Sequence, residues 1–352
     1  MDKNLLDLYS DYLLSSFGPT TATGLSALLD GQVSHDQVTR FLSQETYTSK
    51  TLWQQVKPML RSIEGNEGVL IFDDTIQAKP HTDENELICW HFDHSQNRSV
   101  KGINLLNCVY QINDLTIPVA FELVRKPLVF SDPETGQAKR KSAVTKNKLL
   151  RSMLGTCQHN QINYRYVLAD SWFSAKENLT FIRHRLDKHF IVALKANRTV
   201  ALSKEDKLQG RFTRIDALPW SEEAPQLGWI KGLDFPVLLH RQVFTNKDGS
   251  TGTLYLACSD LDRQALCIET IYQKRWKVEV FHKTLKSDAA LAKSPTKRVR
   301  TQSKHVFMAL YAAFRIECLR VRHHMKHFAL RAQLYMKAIR TAFDELQKLK
   351  TA

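Results

Sequence analysis

The sequence lacks a long apolar run. None of its uninterrupted hydrophobic stretches approaches the roughly 20 residues that a transmembrane helix needs. Its first residues, Met1 to Asn4, also lack the charged and then apolar pattern of a secretory signal peptide. We therefore expect a cytoplasmic protein with no membrane partner.

Cysteine is scarce and widely spaced. There are six cysteines and no Cys-x-x-Cys pair, which argues against a zinc ribbon and against a disulfide framework. We expect these thiols to be reduced and buried. The sequence also has no internal repeat and no low-complexity segment.

The composition is that of a globular protein, but the charge is distributed unevenly. With 43% hydrophobic and 24% charged residues, the chain has enough apolar side chains for a large core, which excludes a disordered protein. Residues 274–350 contain 19 Lys or Arg against five Asp or Glu, an excess that equals the net charge of +14 of the whole chain. Such a basic end favours a polyanion, above all nucleic acid, as the partner. The alternative is a helical surface whose charge serves solubility.

Residues 1–64 have helical periodicity. Ser34 and Gln37 form a capping-box pattern before an apolar stripe, which predicts a second helix after the turn at Gly31. Such a helix can enter a DNA major groove, with Gln37 or Arg40 reading bases. Simple packing of two helices is the alternative interpretation. The polar and glycine-containing run 64–68 then marks a boundary.

Beyond this boundary the periodicity changes to that of strands. The apolar run 69–72 predicts a buried strand that ends at Asp73 and Asp74, and the run 166–169 predicts another that ends at Asp170. Between them, 100–111 and 115–125 predict an antiparallel hairpin, and a polar loop leads to a helix over 146–159. A helix over 176–186 and a strand over 190–194 follow.

This order of elements is that of a mixed five-stranded, ribonuclease H-like α/β core flanked by helices. Residues 196–262 are rich in Gly, Pro and Trp and predict a β-rich insertion, after which a long helix begins near Arg263. The predicted regions are a helical DNA-binding region (1–65), the first part of the core (66–195), the insertion (196–262), the second part of the core (263–325) and a C-terminal helix (326–352).

The helix after the insertion has a distinctive polar stripe. Tyr272, Glu279 and Lys286 are spaced by seven residues, so each lies only about 20° from the last around the helix axis, with Arg275 close to the same stripe. A single acid among so many bases can be a simple ion-pair partner. It can equally be the third carboxylate of an active site, and the residues alone do not decide between the two.

Three blocks of the sequence resemble the DDE transposases of bacterial insertion sequences. The blocks are Ile71-Phe-Asp-Asp-Thr75, Leu168-Ala-Asp-Ser-Trp-Phe-Ser174 and Tyr272-x-x-Arg275-x-x-x-Glu279-x-x-x-x-x-x-Lys286. The third matches all four positions of the signature Tyr-(2)-Arg-(3)-Glu-(6)-Lys that defines one superfamily of these enzymes. The resemblance covers roughly residues 65–320, and the β-rich insertion occupies the family's position between the second Asp and the Glu.

The resemblance implies a catalytic, metal-binding triad of Asp74, Asp170 and Glu279. Asp74 is preferred to Asp73 because the family's aspartate directly precedes Thr, and neighbouring strand residues face opposite ways. Asp73 is expected to bond to a neighbouring strand or loop. The implied cofactor is a pair of Mg²⁺ ions, with Mn²⁺ able to substitute, because cleavage of a phosphodiester needs hard oxygen ligands around the ions.

The resemblance also implies the reaction and the partners. Double-stranded DNA is cut at the ends of the element, and the freed 3′-hydroxyl is joined to target DNA by transesterification, within a homodimeric assembly in the nucleoid. The residues expected to contact DNA are Tyr272, Arg275, Lys286, Arg298 and Arg300, with Lys304 on the same basic surface. Helix packing is the alternative for Tyr272. Two other functions stay open, a non-catalytic DNA-binding protein and a metal-dependent nuclease that joins no strands.

His91, Asp93 and His94 are close in sequence and could be read as a second metal cluster. Their spacing lacks the regular pairing of zinc ligands. A strand would also direct His94 away from the other two. We therefore do not expect a metal there.

Overall fold

The computed structural model describes residues 3–94, 96–220, 224–246 and 248–351. The first four helices are α1 (Lys3–Ser15), α2 (Ala22–Leu28), α3 (His35–Gln44) and α4 (Ser49–Ile63). The predicted capping box is confirmed: the amide of Gln37 donates to Ser34 Oγ (3.2 Å), and the amide of Ser34 donates to Gln37 Oε1 (2.8 Å). Both amides would otherwise lack partners at the start of α3.

The strands begin where the apolar periodicity changes. They are β1 (Val69–Ala78), β2 (Cys89–Asp93), β3 (Arg98–Ile112), β4 (Leu115–Leu123), β5 (Leu128–Ser131), β6 (Ala138–Lys141), β7 (Tyr166–Ala169), β8 (His189–Leu194), β9 (Thr199–Ala201), β10 (Thr213–Arg214), β11 (Gln226–Ile230), β12 (Val237–Thr245) and β13 (Thr251–Cys258). The predicted hairpin is confirmed as β3 and β4. The loop predicted before the next helix contains a second hairpin, β5 and β6, which the sequence analysis missed.

The later helices are α5 (Lys146–His159), α6 (Lys176–Thr180), α7 (Lys204–Leu208), α8 (Ala265–Gln273), α9 (Trp276–Ser287), α10 (Val299–His323) and α11 (His327–Thr351). The helix predicted over 146–159 is confirmed. The prediction of one long helix near Arg263 is wrong, because the chain turns at Lys274 and Arg275, between α8 and α9.

A large mixed sheet organises the fold. Its strand order is β10-β9-β11-β12-β13-β8-β7-β1-β3-β2, and β4 also pairs with β3. Strand β1 runs parallel to β7, and β7 runs parallel to β8, whereas the other pairs are antiparallel. The five predicted core strands are therefore neighbours, in the order β4-β3-β1-β7-β8.

The β-rich insertion continues this sheet. Its last strand, β13, pairs with the edge of β8, so the insertion satisfies backbone groups that the core strands would otherwise leave unpaired. Residues 196–262 contain the five strands β9 to β13. The insertion shares the hydrogen-bonded sheet of the core.

The N-terminal helices share the core with α10. Tyr9 Oη lies 3.3 Å from His305 Nδ1, and the rings of Tyr47 and Phe307 are 4.6 Å apart between centroids. Both contacts are buried, and the apolar faces of α1, α3 and α4 belong to the same cluster of buried residues as the sheet. Residues far apart in sequence therefore fold as one body around α10.

Candidate active site

The parallel pairing of β1 and β7 brings two acidic blocks together. Phe72 is opposite Ala169 in the register, so Asp73 and Asp170 directly follow a matched pair of buried residues. Strand β7 ends there, and Asp170 begins a 3₁₀ turn whose Trp172 amide donates to Asp170 Oδ1 (3.0 Å). Strand β1 instead continues to Ala78, so the prediction that it ends at its two aspartates is wrong.

The two aspartates of β1 have different partners. Asp73 Oδ2 lies 3.3 Å from Nη1 of Arg275, at the start of α9. Asp74 Oδ2 accepts hydrogen bonds from Lys146 Nζ (2.7 Å), at the start of α5, and from Asn104 Nδ2 (2.8 Å) on β3. The partner of Asp73 is thus a residue of the signature that lies in the turn between α8 and α9.

The turn between α8 and α9 brings the signature residues to the sheet. Arg275 Nη2 donates to Glu279 Oε1 at 2.9 Å, so the same guanidinium joins Glu279 to Asp73. Tyr272 is buried, and its hydroxyl donates to the carbonyl of Ala169 at 3.4 Å, one residue before Asp170. These contacts match the packing interpretation of Tyr272.

The site concentrates negative charge in a partly buried place. Burial, followed by the charge of Asp170, raises the pKa of Asp73 to about 7 even though Arg275 opposes the shift. Burial also raises the pKa of Asp170, and the charge of Asp74 adds to this effect. Asp170 therefore interacts with both aspartates of β1. Such mutual repulsion is typical of carboxylates arranged around cations.

The residues fit hard divalent cations in their chemistry, but they do not form a closed cage. Among the described residues, no group of three or more His, Cys, Asp or Glu side chains is arranged to hold a metal ion. Arg275 pairs with Glu279, and Lys146 pairs with Asp74. These two cations neutralise carboxylate charge that bound metal ions would otherwise neutralise. The carboxylate oxygens are nevertheless the ligands that Mg²⁺ and Mn²⁺ prefer.

Two asparagines on β3 add unsatisfied oxygen atoms beside the aspartates. Asn104 and Asn107 are fully buried, and within the described residues their Oδ1 atoms receive no hydrogen bond. Asn107 is the register partner of Asp73, and its amide lies 2.9 Å from His282 Nε2 on α9. Burial lowers the pKa of His282 to about 3, so the ring stays neutral and accepts from Asn107. This bond ties α9 to β3 close to Glu279.

Sequence reasoning missed these supporting residues. Asn104, Asn107 and His282 lie within apolar stretches, and a polar side chain in a buried stretch is the signal that could have identified them. Lys146 offered no comparable signal, since a lysine in the first turn of a helix is ordinary. Its contact with Asp74 exists because α5 packs on the sheet.

The predicted basic surface is only partly exposed. Lys286, Arg298 and Arg300 are exposed, the last two at the start of α10. Lys304 is not: it is 2% exposed, and its ammonium donates to the carbonyl of Phe41. The expectation that Lys304 belongs to a DNA-facing surface is therefore wrong, because the adjacent turn of α10 faces the N-terminal helices.

The residues of the rejected metal site do not converge. His91 is buried with Nε2 3.3 Å from Cys89 Sγ, whereas His94 packs against Trp172. Asp93 accepts hydrogen bonds from Gln96. Strand β2 ends at Asp93, so His94 lies just beyond it.

Residues 2–219 match a family described as DDE superfamily endonuclease. The matched range is more than half of the chain and contains the aspartates of β1 and Asp170. This chain belongs to the DDE superfamily endonuclease family. Glu279 lies beyond the matched range. Its assignment to the candidate active site of this DDE endonuclease therefore rests on the signature and on its contact with Arg275.

Other comparisons add little to the family assignment. No curated protein matches the DDE endonuclease. A structure titled "Drosophila P element transposase strand transfer complex" is 14% identical, with a TM-score of 0.26, over 50% of this chain and 35% of that chain. The DDE endonuclease thus spans about a third of that chain. Within the described residues, no helix is both long and apolar enough to cross a bilayer.

Proposed function

We propose that this DDE endonuclease is the transposase of a bacterial insertion sequence. It would hydrolyse phosphodiester bonds at the ends of the element and then join the freed 3′-hydroxyl to target DNA. The observation that carries the proposal is the meeting of β1, β7 and α9, where Arg275 joins Asp73 to Glu279 beside Asp170. The strand order β4-β3-β1-β7-β8, with its parallel pairs, supports a ribonuclease H-like core.

In this proposal Asp74, Asp170 and Glu279 are the catalytic carboxylates and would hold two Mg²⁺ ions, or Mn²⁺ in their place. The cations would supply charge neutralisation at the phosphate and activation of the attacking oxygen. In the free protein Lys146 orients Asp74 and Arg275 orients Glu279 through ion pairs. Asp73 has a positioning role through its ion pair with Arg275.

DNA binding is assigned to cations around this site. Arg275 can contact a phosphate with two N–H groups, and Lys286, Arg298 and Arg300 present exposed charges to the backbone. Tyr272 supports Arg275, since the guanidinium carbon lies 5.9 Å from its ring centroid. Residues 1–65 are proposed to contact DNA through the exposed face of α3. The catalytic core is proposed to consist of two parts, 66–195 and 263–325, which are separated in the chain by the insertion, 196–262.

The protein is proposed to act as a homodimer through α11, in the region 326–352. Apolar residues recur there at alternating steps of three and four, the pattern of a coiled coil: Ala332, Tyr335, Ile339, Ala342, Leu346 and Leu349. Ile339, Leu346 and Leu349 are exposed, so the apolar stripe is available to a second copy of the same helix.

The catalytic assignment is tested by removing one carboxylate charge at a time. Asp170→Asn and Glu279→Gln should abolish cleavage and strand transfer of a labelled end fragment in Mg²⁺, because a neutral amide is a poor ligand for a hard cation. Binding of the fragment should stay close to that of the wild type. Full activity of either variant would refute the assignment.

The choice between the two aspartates of β1 needs a matched pair of variants. Asp74→Asn should abolish activity at all concentrations of Mg²⁺ or Mn²⁺. Asp73→Asn should keep measurable activity, since it removes only one of the two ion-pair partners of Arg275 and leaves Glu279 in place. The opposite ranking would make Asp73 the metal ligand and Asp74 the positioning residue.

The cleavage and strand-transfer assay also separates the competing functions. A nuclease that joins no strands would release cut ends without forming joined products, and a non-catalytic binder would do neither.

Light scattering tests the dimer. Leu346→Lys should convert dimer to monomer, whereas Lys337→Ala, a change of an exposed residue off the stripe, should not. A wild-type protein that is monomeric with and without DNA would contradict the dimer.

A further inference from the structure

A lysine of α5 occupies one of the predicted catalytic carboxylates. Asp74 Oδ2 accepts a hydrogen bond from Lys146 Nζ at 2.7 Å and another from Asn104 Nδ2 at 2.8 Å. A carboxylate oxygen offers about two lone-pair sites, so two donors fill it. In the free protein the Oδ2 atom of Asp74 is therefore taken by the protein's own groups.

The backbone that carries Lys146 is held in place by a buried amide. Asn178 is fully buried, and its Nδ2 donates to Asn147 Oδ1 (2.8 Å) and to the carbonyl of Phe173 (2.9 Å). Its Oδ1 accepts from Arg151 Nη1 at 2.6 Å. These bonds join the first two turns of α5 to the loop after β7. Lys146 can therefore change its partner only by moving its flexible side chain, which is 22% exposed.

The ion pair between Lys146 and Asp74 cannot persist beside a divalent cation. A cation bound by either oxygen of Asp74 would place a second positive charge close to the ammonium, and like charges at such a distance repel strongly in a partly buried site. Both side chains of the pair are mostly buried, which limits screening by water. Lys146 and a divalent cation therefore compete for the same carboxylate.

The start of α5 gives the displaced lysine a suitable second partner. The first turn of the helix contains Lys146 and Lys148 and no acidic residue. A helix N-terminus also attracts anions, and lysine is a common ligand of phosphate. A DNA phosphate brought to Asp74 for cleavage would lie within reach of the side chain that had just left this carboxylate.

We propose that Lys146 is a placeholder for a divalent cation: it pairs with Asp74 in the free protein, releases this carboxylate when the cation binds, and then contacts a phosphate of the bound DNA. The inference rests on the proposed function, since it takes Asp74 as a metal ligand. It adds that the protein's own charge keeps this ligand occupied until the cation arrives.

The test is a titration of DNA-free protein with Mn²⁺, followed by calorimetry. Lys146→Met should bind Mn²⁺ about tenfold more tightly than the wild type, because the competing ammonium is gone. Lys146→Arg keeps the charge and should bind no more tightly than the wild type. Lys148→Met removes the same charge from an exposed residue of the same turn and should also bind like the wild type. A merely structural role for Lys146 would not tighten metal binding.

Two further variants and a DNA probe make the test specific. In an Asp74→Asn background, Lys146→Met should bring no gain in Mn²⁺ affinity, because no carboxylate is left for it to free. At saturating Mn²⁺, Lys146→Met should bind a pre-cut end fragment about fivefold more weakly than Lys148→Met, although the two variants have equal net charge. The substitution thus changes the affinities for metal and for DNA in opposite directions.

The possible failures are distinguishable. Equal Mn²⁺ affinities of wild type and Lys146→Met, an equal gain in Lys148→Met, or equal DNA affinities of the two variants would overturn the inference and leave the proposed function in place. If wild-type protein binds Mn²⁺ neither alone nor with the end fragment, the proposed function itself fails.

Discussion

Replacement of Lys304 by methionine tests how the N-terminal helices are joined to α10. Lys304 is buried, its ammonium donates to the carbonyl of Phe41, and it lies 4.0 Å from the Phe41 ring centroid and 4.2 Å from that of Tyr47. Methionine has a similar length and keeps the apolar contacts of the stem. The substitution therefore removes the charge and the hydrogen bond to Phe41.

The expected change in the free energy of unfolding with pH follows from the pKa of the buried Lys304 amine. Burial lowers the pKa of Lys304 from 10.5 to about 8, and the charge of Glu45 opposes the shift only in part. Between these two pH values the unfolded chain still binds the proton that the folded chain has released. The free energy of unfolding therefore rises with pH across this interval, by about 3 kcal/mol from this group.

The assay is urea unfolding of both proteins at pH values from below 8 to above 10.5, the folded and ordinary pKa of Lys304. The stability of wild type relative to Lys304→Met should rise by about 3 kcal/mol over this range. Lys297→Met, at an exposed lysine before the same helix, should leave the pH dependence unchanged. Parallel curves for wild type and Lys304→Met would refute the reasoning. They would mean that the two rings and the carbonyl keep the ammonium charged.

Other predictions concern DNA binding and the backbone. Replacing Arg298 and Arg300 by Ala should weaken binding to unrelated DNA sequences and reduce the slope of log affinity against log salt by up to about 2, and an unchanged slope would count against a phosphate contact. Gly155→Ala should raise the free energy of unfolding by about 0.5–1 kcal/mol, because the glycine lies within α5 and a Cβ there meets nothing within 4 Å. Gly102→Ala should lower it by about 1–3 kcal/mol, because its Cβ would lie 2.2 Å from the backbone oxygen of Gln77. Urea denaturation checks both, and equal stabilities would contradict the close contact between β1 and β3.

Periodicity and turn chemistry in the sequence were sufficient for most local structure. The strand-like runs 100–111 and 115–125 predicted the β3–β4 hairpin, and the Ser34 capping box predicted the start of α3. These signals depend on residues close in the chain. The sequence also linked three distant blocks, because the spacing of the signature resembles that of a known family.

Only the tertiary structure decided which charges meet. Adjacent strand residues face opposite sides of a sheet, so Asp73 pairs with Arg275 and Asp74 with Lys146, partners that lie about 200 and 72 positions away in the chain. The burial of Lys304 likewise depends on how α10 packs against the N-terminal helices. Sequence patterns report the period of an element, whereas ion pairs and burial depend on which elements come to lie side by side.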